Sequence, residues 1–468
     1  MVLGRVADGI LTGAERAASA ATGLFAEPTL RLGVTGLAQA GKTVFITALV
    51  ANLLDRGRMP GLRGAPQIRA AWLQPQPDDT VPRFAYERHL AAMTGTPPAW
   101  PDSTRAVSQL RLSFRIQPQG FLGPLSGPRV LHLDIVDYPG EWLLDLGLMD
   151  RDFRAWSDDV LAHAAERPEG AGFAAALAAA DPTAPFAEAD AERLAAAYTH
   201  YLTDARKAGY ADLTPGRMLL PGELAGSPAL TFAPLPPGPA PRGSLAREMA
   251  RRYEAYKAQI VRPFFRDHFA RIDRQVVLVD LLDAIHAGPR AVDDLSRALD
   301  RTLAAFRPGR ASWLAQLLGA KRVERILFAA TKADHLHHGQ HGALTAILQA
   351  MLRQAKDRAD FAGARTEAMA IAALRATTEE ERTHEGQTLP MVRGTLMDGR
   401  QAALYPGALP EDPARILQAA RSGAEQWLDG DYAAMRFRPP GTPIQPGEGP
   451  AHIRLDRAAQ FLIGDRLV

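Results

Sequence analysis

Apolar residues recur at three- and four-residue spacing at the start of the chain: Leu3, Val6, Ile10, Ala14, Ala17, Ala21 and Leu24. That spacing predicts a helix over residues 1–24, closed by Pro28. Its polar face carries both signs of charge, which favours packing on the main body over a place on an anionic membrane surface. Residues 30–35 (LRLGVT) read as a short strand. A helical pattern follows from Lys42 to Leu54. Residues 56–101 are rich in Pro and Gly and show little periodicity. Alternation then returns, with Leu110, Leu112, Phe114 and Ile116 against Arg111, Ser113 and Arg115. It predicts a strand, and residues 130–136 (VLHLDIV) predict a hairpin partner.

Beyond Trp142 the chain becomes Ala-rich, with helices predicted near 151–166, 187–208 and 243–271. The proline-dense stretch 231–243 must be a loop. Continuous apolar runs at 275–282 and 326–331 suit buried parallel strands, and 368–374 suits a further one. The last ninety or so residues mix a strand signal at 402–405 with a final helix at 457–462. The fold class this implies is α/β: a mostly parallel sheet built in two segments, 30–150 and 272–376. A helical insertion (151–271) interrupts it, the N-terminal helix (1–29) precedes it, and a C-terminal extension (377–468) packs on it.

A length of 468 residues suits two or three structural units. Hydrophobic residues at 47% and charged residues at 23% exclude a mostly disordered chain. Lys and Arg number 54 against 52 Asp and Glu, so net charge is +2 and nucleic-acid binding is not expected. No cysteine is present, which excludes disulfides, Fe–S clusters and thiol nucleophiles. No export signal or spanning segment is evident, so a cytoplasmic protein is expected.

The chemistry concentrates in three short stretches. Gly36-Leu37-Ala38-Gln39-Ala40-Gly41-Lys42-Thr43 matches G-x-x-x-x-G-K-[ST] between a strand and a helix. Glycines there let backbone N–H groups curl around a phosphate, and the helix start adds positive dipole. Gly36, Ala38, Gln39, Ala40, Gly41, Lys42, Thr43 and Val44 form the candidate phosphate cradle. Lys42 would neutralise the β- and γ-phosphates, and the Thr43 hydroxyl would face Mg²⁺. Asp137-Tyr138-Pro139-Gly140 ends the strand 130–136. A carboxylate at such a tip reads as a magnesium-site aspartate, with the Gly140 N–H donating to the γ-phosphate. Thr331-Lys332-Ala333-Asp334 follows an apolar strand. The Asp334 carboxylate can accept both N1–H and N2–H₂ of guanine, a donor pair adenine lacks, while the Lys332 stem lies along the base.

These three stretches, in this order, resemble the first, third and fourth motifs of P-loop GTPases. More narrowly, TGLAQAGKTVFITALVANLL, DYPGEWLLDL, ATKADHLHH and the tail HIRLDRAAQFLIGDRL resemble the YcjX-like family, over nearly the whole chain. The resemblance implies a Ras-like G domain, GTP/GDP and Mg²⁺ as ligands, GTP hydrolysis, and a switch role in bacterial stress response. It also implies an inner-membrane protein partner and a place at the periphery of that membrane. It puts Ala376, in the stretch 373–377, where backbone groups contact the base.

Two positions depart from the usual pattern. Thr331 replaces an Asn and loses the amide that ties this motif to the phosphate loop. Glu141 stands where many small GTPases carry a water-orienting Gln. Thr104, with Ser103 as the alternative, is the candidate for completing the Mg²⁺ shell beside Thr43 and Asp137. Arg105 next to it would serve as a built-in arginine finger, against a simple reading as a solvated residue. His335, His337, His338 and His341 cluster, but without thiolate or carboxylate partners at regular spacing a polar loop is expected rather than a metal site. Two other functions stay open on the sequence: a GTP-dependent binding module with negligible hydrolysis, and an ATPase or kinase.

Overall fold

The computed structural model describes residues 27–37, 40–76, 78–102, 106–118, 127–304, 323–356, 364–384, 386–422, 436–442 and 444–468. The N-terminal helix expected over 1–24 lies outside them, as do Ala38, Gln39, Ser103, Thr104 and Arg105.

Among the described residues, seven strands form one sheet: β1 (Thr29–Leu37), β2 (Ile68–Gln74), β3 (Ser108–Ile116), β4 (Arg129–Asp137), β5 (Arg274–Val279), β6 (Arg325–Ala330) and β7 (Arg365–Ala370). Their order is β2-β3-β4-β1-β5-β6-β7. From β4 to β7 every pairing is parallel. β3 pairs antiparallel with β4, as the expected hairpin, and β2 adds an antiparallel edge. The helices that frame the site are α1 (Lys42–Leu54), α2 (Phe153–Glu166), α3 (Glu188–Lys207), α4 (Leu245–Tyr256), α5 (Pro289–Ala304), α6 (His341–Lys356) and α7 (Leu455–Ile463).

Continuous apolar strands need cover on both faces. Val276, Leu278, Leu327 and Ala329 point into a core shared with α1 and α7. Their neighbours Val277, Val279, Ile326 and Phe328 point the other way, onto α5 and α6. This explains why these strands read as unbroken apolar runs rather than alternating ones. α1 is buried from Phe45 to Leu53, so the helix behind the phosphate loop is locked to the sheet. The tail motif becomes α7, whose Leu455, Ala458 and Leu462 fill the same core.

A third core gathers the helices between β4 and β5. Trp156 of α2, Leu194 and Tyr198 of α3, and Tyr253 of α4 pack together, with Trp156 stacked on Tyr253 at 4.8 Å. Tyr138, Trp142 and Leu143, just beyond β4, are members of this core rather than of the sheet's. The predicted helix over 243–271 is α4 continued through a π-turn (Lys257–Val261) into Arg262–Asp267.

Some elements are not anticipated by periodicity. β2 and the helix Tyr86–Thr94 occupy the Pro/Gly-rich stretch. A three-stranded antiparallel sheet, β8 (Thr377–His384), β9 (Gln387–Thr395) and β10 (Gln401–Leu404), follows β7, and only β10 carried a strand signal. Among the described residues no helix is long and apolar enough to cross a membrane.

Candidate functional site

Parallel strands place their C-terminal tips on one edge of the sheet, and a crevice opens there where the chain order reverses. The tips of β1, β4, β5, β6 and β7 converge on one cleft of about 440 Å³. Gly36, Ala40, Gly41, Lys42 and Thr43 line one end, and Thr331, Lys332 and Asp334 line the other.

The phosphate end is built by the turn from β1 into α1. Gly41 caps α1 with φ 74°, a left-handed conformation that a residue with a Cβ resists. As a glycine, Gly41 brings no side chain to cap this helix start, a geometry that suits an anion at its first N–H groups. Val44, half-buried, continues the first turn. Asp137 sits opposite Val34 at the tip of β4, fully buried. Lys42 Nζ lies 2.6 Å from Asp137 Oδ1. Among the described residues neither group makes a well-oriented hydrogen bond, so the contact is an ion pair between two under-satisfied charges. The Thr43 hydroxyl is 3.5 Å from the Asp102 carbonyl, which places this threonine beside the segment that leads to Thr104.

Beyond Asp137 the chain is clamped. A Cβ on Gly140 would lie 2.3 Å from the Gly36 carbonyl oxygen, so only glycine lets this segment touch the phosphate loop. The Glu141 carboxylate, 7% exposed, bonds Arg206 of α3 at 2.7 Å. Trp142 lies under the Arg217 guanidinium at 3.2 Å and donates its indole N–H to the Leu220 carbonyl. Asp145 accepts from the Gly216 N–H at 2.7 Å and from the Tyr256 hydroxyl at 2.6 Å. Burial raises its carboxyl to about 6 in spite of those donors. From Glu141 onward, each of these contacts runs to the segment between β4 and β5.

At the other end, the Thr331 hydroxyl donates to the Val279 carbonyl at 3.3 Å, so it bonds to β5 rather than to the phosphate loop. Lys332 adopts φ 58°, and its ammonium pairs with Asp280 at the tip of β5. Burial pushes the Asp280 carboxyl up, and Lys332 opposes that shift. Asp334 is 4% exposed and accepts the Ala376 N–H at 2.9 Å, so the stretch 373–377 is tied to the motif. Trp100, Met397, Arg436 and Phe437 line the same end of the cleft.

The histidines separate. His341 is buried and its Nε2 faces the Ala333 carbonyl at 2.7 Å, bracing the turn after the motif. His337 and His338 meet Glu379, a carboxylate partner the sequence spacing did not reveal. Arg375 lies 3.5 Å from that same carboxylate, and the Gly339 N–H donates to His337 Nδ1. His338 Nδ1 lies 2.5 Å from the Glu379 carboxylate and His337 Nε2 3.6 Å from it, so the close contact in this cluster belongs to His338.

Comparison with known proteins matches residues 30–467 to the YcjX-like family, DUF463. The chain belongs to the YcjX-like family. A Shewanella oneidensis protein named Ras-like GTPase YcjX is 36% identical over 94% of this chain and 95% of its own length. One of the same name from Escherichia coli K12 is 37% identical over 94% of this chain and 96% of its own. For this YcjX-like chain, the central sheet and phosphate loop agree with a P-loop G domain. Sequence reading missed Asp280, Arg206 and the Asp145 anchor. Each acts through a partner far away in sequence, and no local spacing marks it.

Proposed function

We propose that the cleft binds GTP with Mg²⁺ and hydrolyses it to GDP and phosphate, and that the insertion reports which nucleotide is bound. The observation that carries this is the single cleft with Lys42 at one end and Asp334 at the other. A triphosphate lies along the α1 start, and guanine meets the buried Asp334 carboxylate.

Asp137 and Thr43 would hold the metal, with Thr104 as the further candidate outside the described residues. The fit rests on Asp137. Both its oxygens are buried and accept no hydrogen bond among the described residues, a donor set that suits a hard cation bound through oxygen. Bound Mg²⁺ would neutralise charge on the β- and γ-oxygens. Lys42 would then exchange Asp137 for phosphate. The Gly140 N–H would follow the γ-phosphate. Because the segment after Gly140 is bonded to Gly216, Arg217, Leu220 and Tyr256, any shift of it moves the insertion. Catalysis would come from positioning and electrostatics, with no covalent intermediate.

Calorimetric titration with GTP, GDP and ATP in Mg²⁺ tests the binding, and multiple-turnover phosphate release tests the reaction. GTP and GDP should bind more tightly than ATP. Equal or tighter ATP binding would favour an ATPase or kinase. Glu141, engaged by Arg206 instead of free to orient water, favours a second reading in which hydrolysis is negligible and GTP-dependent partner binding is the function. Phosphate release at the rate of free nucleotide would select that reading.

A further inference from the structure

We propose that Arg206 is the cation that the insertion supplies to the γ-phosphate of bound GTP, with Glu141 holding it in place until nucleotide arrives. This deepens the GTPase reading and rests on it.

Four observations converge. Arg206 lines the same cleft as Gly41, Lys42, Pro139 and Glu141, although it belongs to the insertion and not to the sheet. It sits on the last turn of α3, whose Tyr198, Tyr201, Leu202 and Ala205 are all buried, so the guanidinium is presented by a fixed element. Only 27% of its side chain is exposed, and its Nε is buried with no hydrogen-bond partner among the described residues. A guanidinium has five donors and no way to neutralise itself, so a buried orphan N–H calls for an oxygen acceptor. Finally, its ionic partner among the described residues is Glu141, the residue directly after Gly140. A bare carboxylate there would repel a triphosphate; paired with Arg206 it does not.

Besides Arg206, the described residues that line the cleft include three cations, Lys42, Lys332 and Arg436, and Lys332 is paired with Asp280. Lys42 is already matched by Asp137. In hydrolysis a water oxygen bonds to the γ-phosphorus while the bond to the β,γ-bridging oxygen breaks. The electron pair leaves with the β-phosphate of GDP. One water proton stays on the released phosphate and the other passes to solvent. Charge spreads over the γ-oxygens and builds on the bridging oxygen as this happens. Guanidinium N–H groups are suited to those oxygens because the fork donates in one plane. Nε–H and Nη2–H share one edge of the guanidinium, so Arg206 presents both to the phosphate when Nη2 leaves Glu141.

The test is Arg206→Ala in the full-length protein, read by single-turnover GTP hydrolysis and by binding of GDP with fluoroaluminate, a mimic of the transferring phosphoryl group. The rate should fall by about a thousandfold, the lower end of what such an arginine supplies. GDP affinity alone should be unchanged, while the extra stabilisation by fluoroaluminate should disappear. A salt bridge that merely fastens the insertion would not affect fluoroaluminate selectively. Arg206→Lys keeps the charge and stem, guards against a folding defect, and should restore only part of the rate. If Arg206→Ala hydrolyses GTP at the wild-type rate, or binds fluoroaluminate with GDP as tightly, the assignment is wrong. A wild-type protein that fails to bind GDP would overturn the GTP reading itself, a different outcome from normal binding with an indifferent Arg206.

Discussion

Lys42 Nζ and Asp137 Oδ1 stand 2.6 Å apart beneath the phosphate loop, with Asp137 wholly buried and the lysine nearly so. The pair joins the start of α1 to the tip of β4, the two elements that must share a bound triphosphate. Removing one partner strands a buried charge, which costs about 3–5 kcal/mol. Lys42→Ala should therefore lower the melting temperature of the free protein and abolish the thermal shift produced by GTP. Lys42→Ala combined with Asp137→Ala should recover much of the free protein's stability without recovering the shift. A GTP shift that survives in either variant would disprove the phosphate role of Lys42.

Asp334 is held by the Ala376 N–H and buried at the tip of β6. Asp334→Asn keeps the acceptor for that N–H and exchanges the other oxygen for a donor. Guanine affinity should drop about tenfold to a hundredfold, the worth of a charged hydrogen bond, and xanthine nucleotide should gain. Competition between GTP and XTP for a fluorescent nucleotide reads this directly. Retention of guanine preference would show that another residue selects the base.

Gly140 touches the phosphate loop so closely that a Cβ would stand 2.3 Å from the Gly36 carbonyl oxygen, a backbone atom that cannot turn aside. Gly140→Ala should push the segment away from the loop and weaken GTP more than GDP, because only GTP has a γ-phosphate for the Gly140 N–H. Comparing the two affinities in the variant checks it; equal losses would indicate general distortion.

Asp145 gives a pH dependence of definite sign. Its carboxyl moves from 3.8 to about 6 on burial. The native state thus holds a proton that the unfolded chain has lost, and stability falls as pH rises between those two values. The full effect is about 3 kcal/mol. Asp145→Asn keeps an acceptor for Gly216 N–H and removes the titration. The stability of the variant relative to wild type should rise between about pH 4 and about pH 7. Thermal melts of both proteins across that range measure it, and a constant difference would show that Asp145 is not the titrating group.

Legibility followed locality. β5 and β6 were readable because their burial on both faces writes itself as an apolar run, and the phosphate loop because its glycines and lysine stand at fixed spacing. β8 (TTEEERTH) was not, because most of its side chains face solvent. That strand is held by its ladder and by cross-strand pairs such as Glu380 with Arg393, which no period along the chain records. β2 lies at the sheet edge with mostly half-buried residues, so its pattern is equally faint.

The sequence by itself determined the chemistry of each short stretch: the glycine turn before α1, the carboxylate ending β4, and the carboxylate after β6. Spacing within a few residues and the strand–turn–helix context suffice, because backbone geometry there is set by near neighbours. Only the tertiary structure decided how those stretches are joined. It brings Arg206 to Glu141, Asp280 to Lys332, and Asp145 to Gly216 and Tyr256. Such contacts form when separate elements bury their apolar faces against one another, and their charged partners are then fixed by packing rather than by distance along the chain.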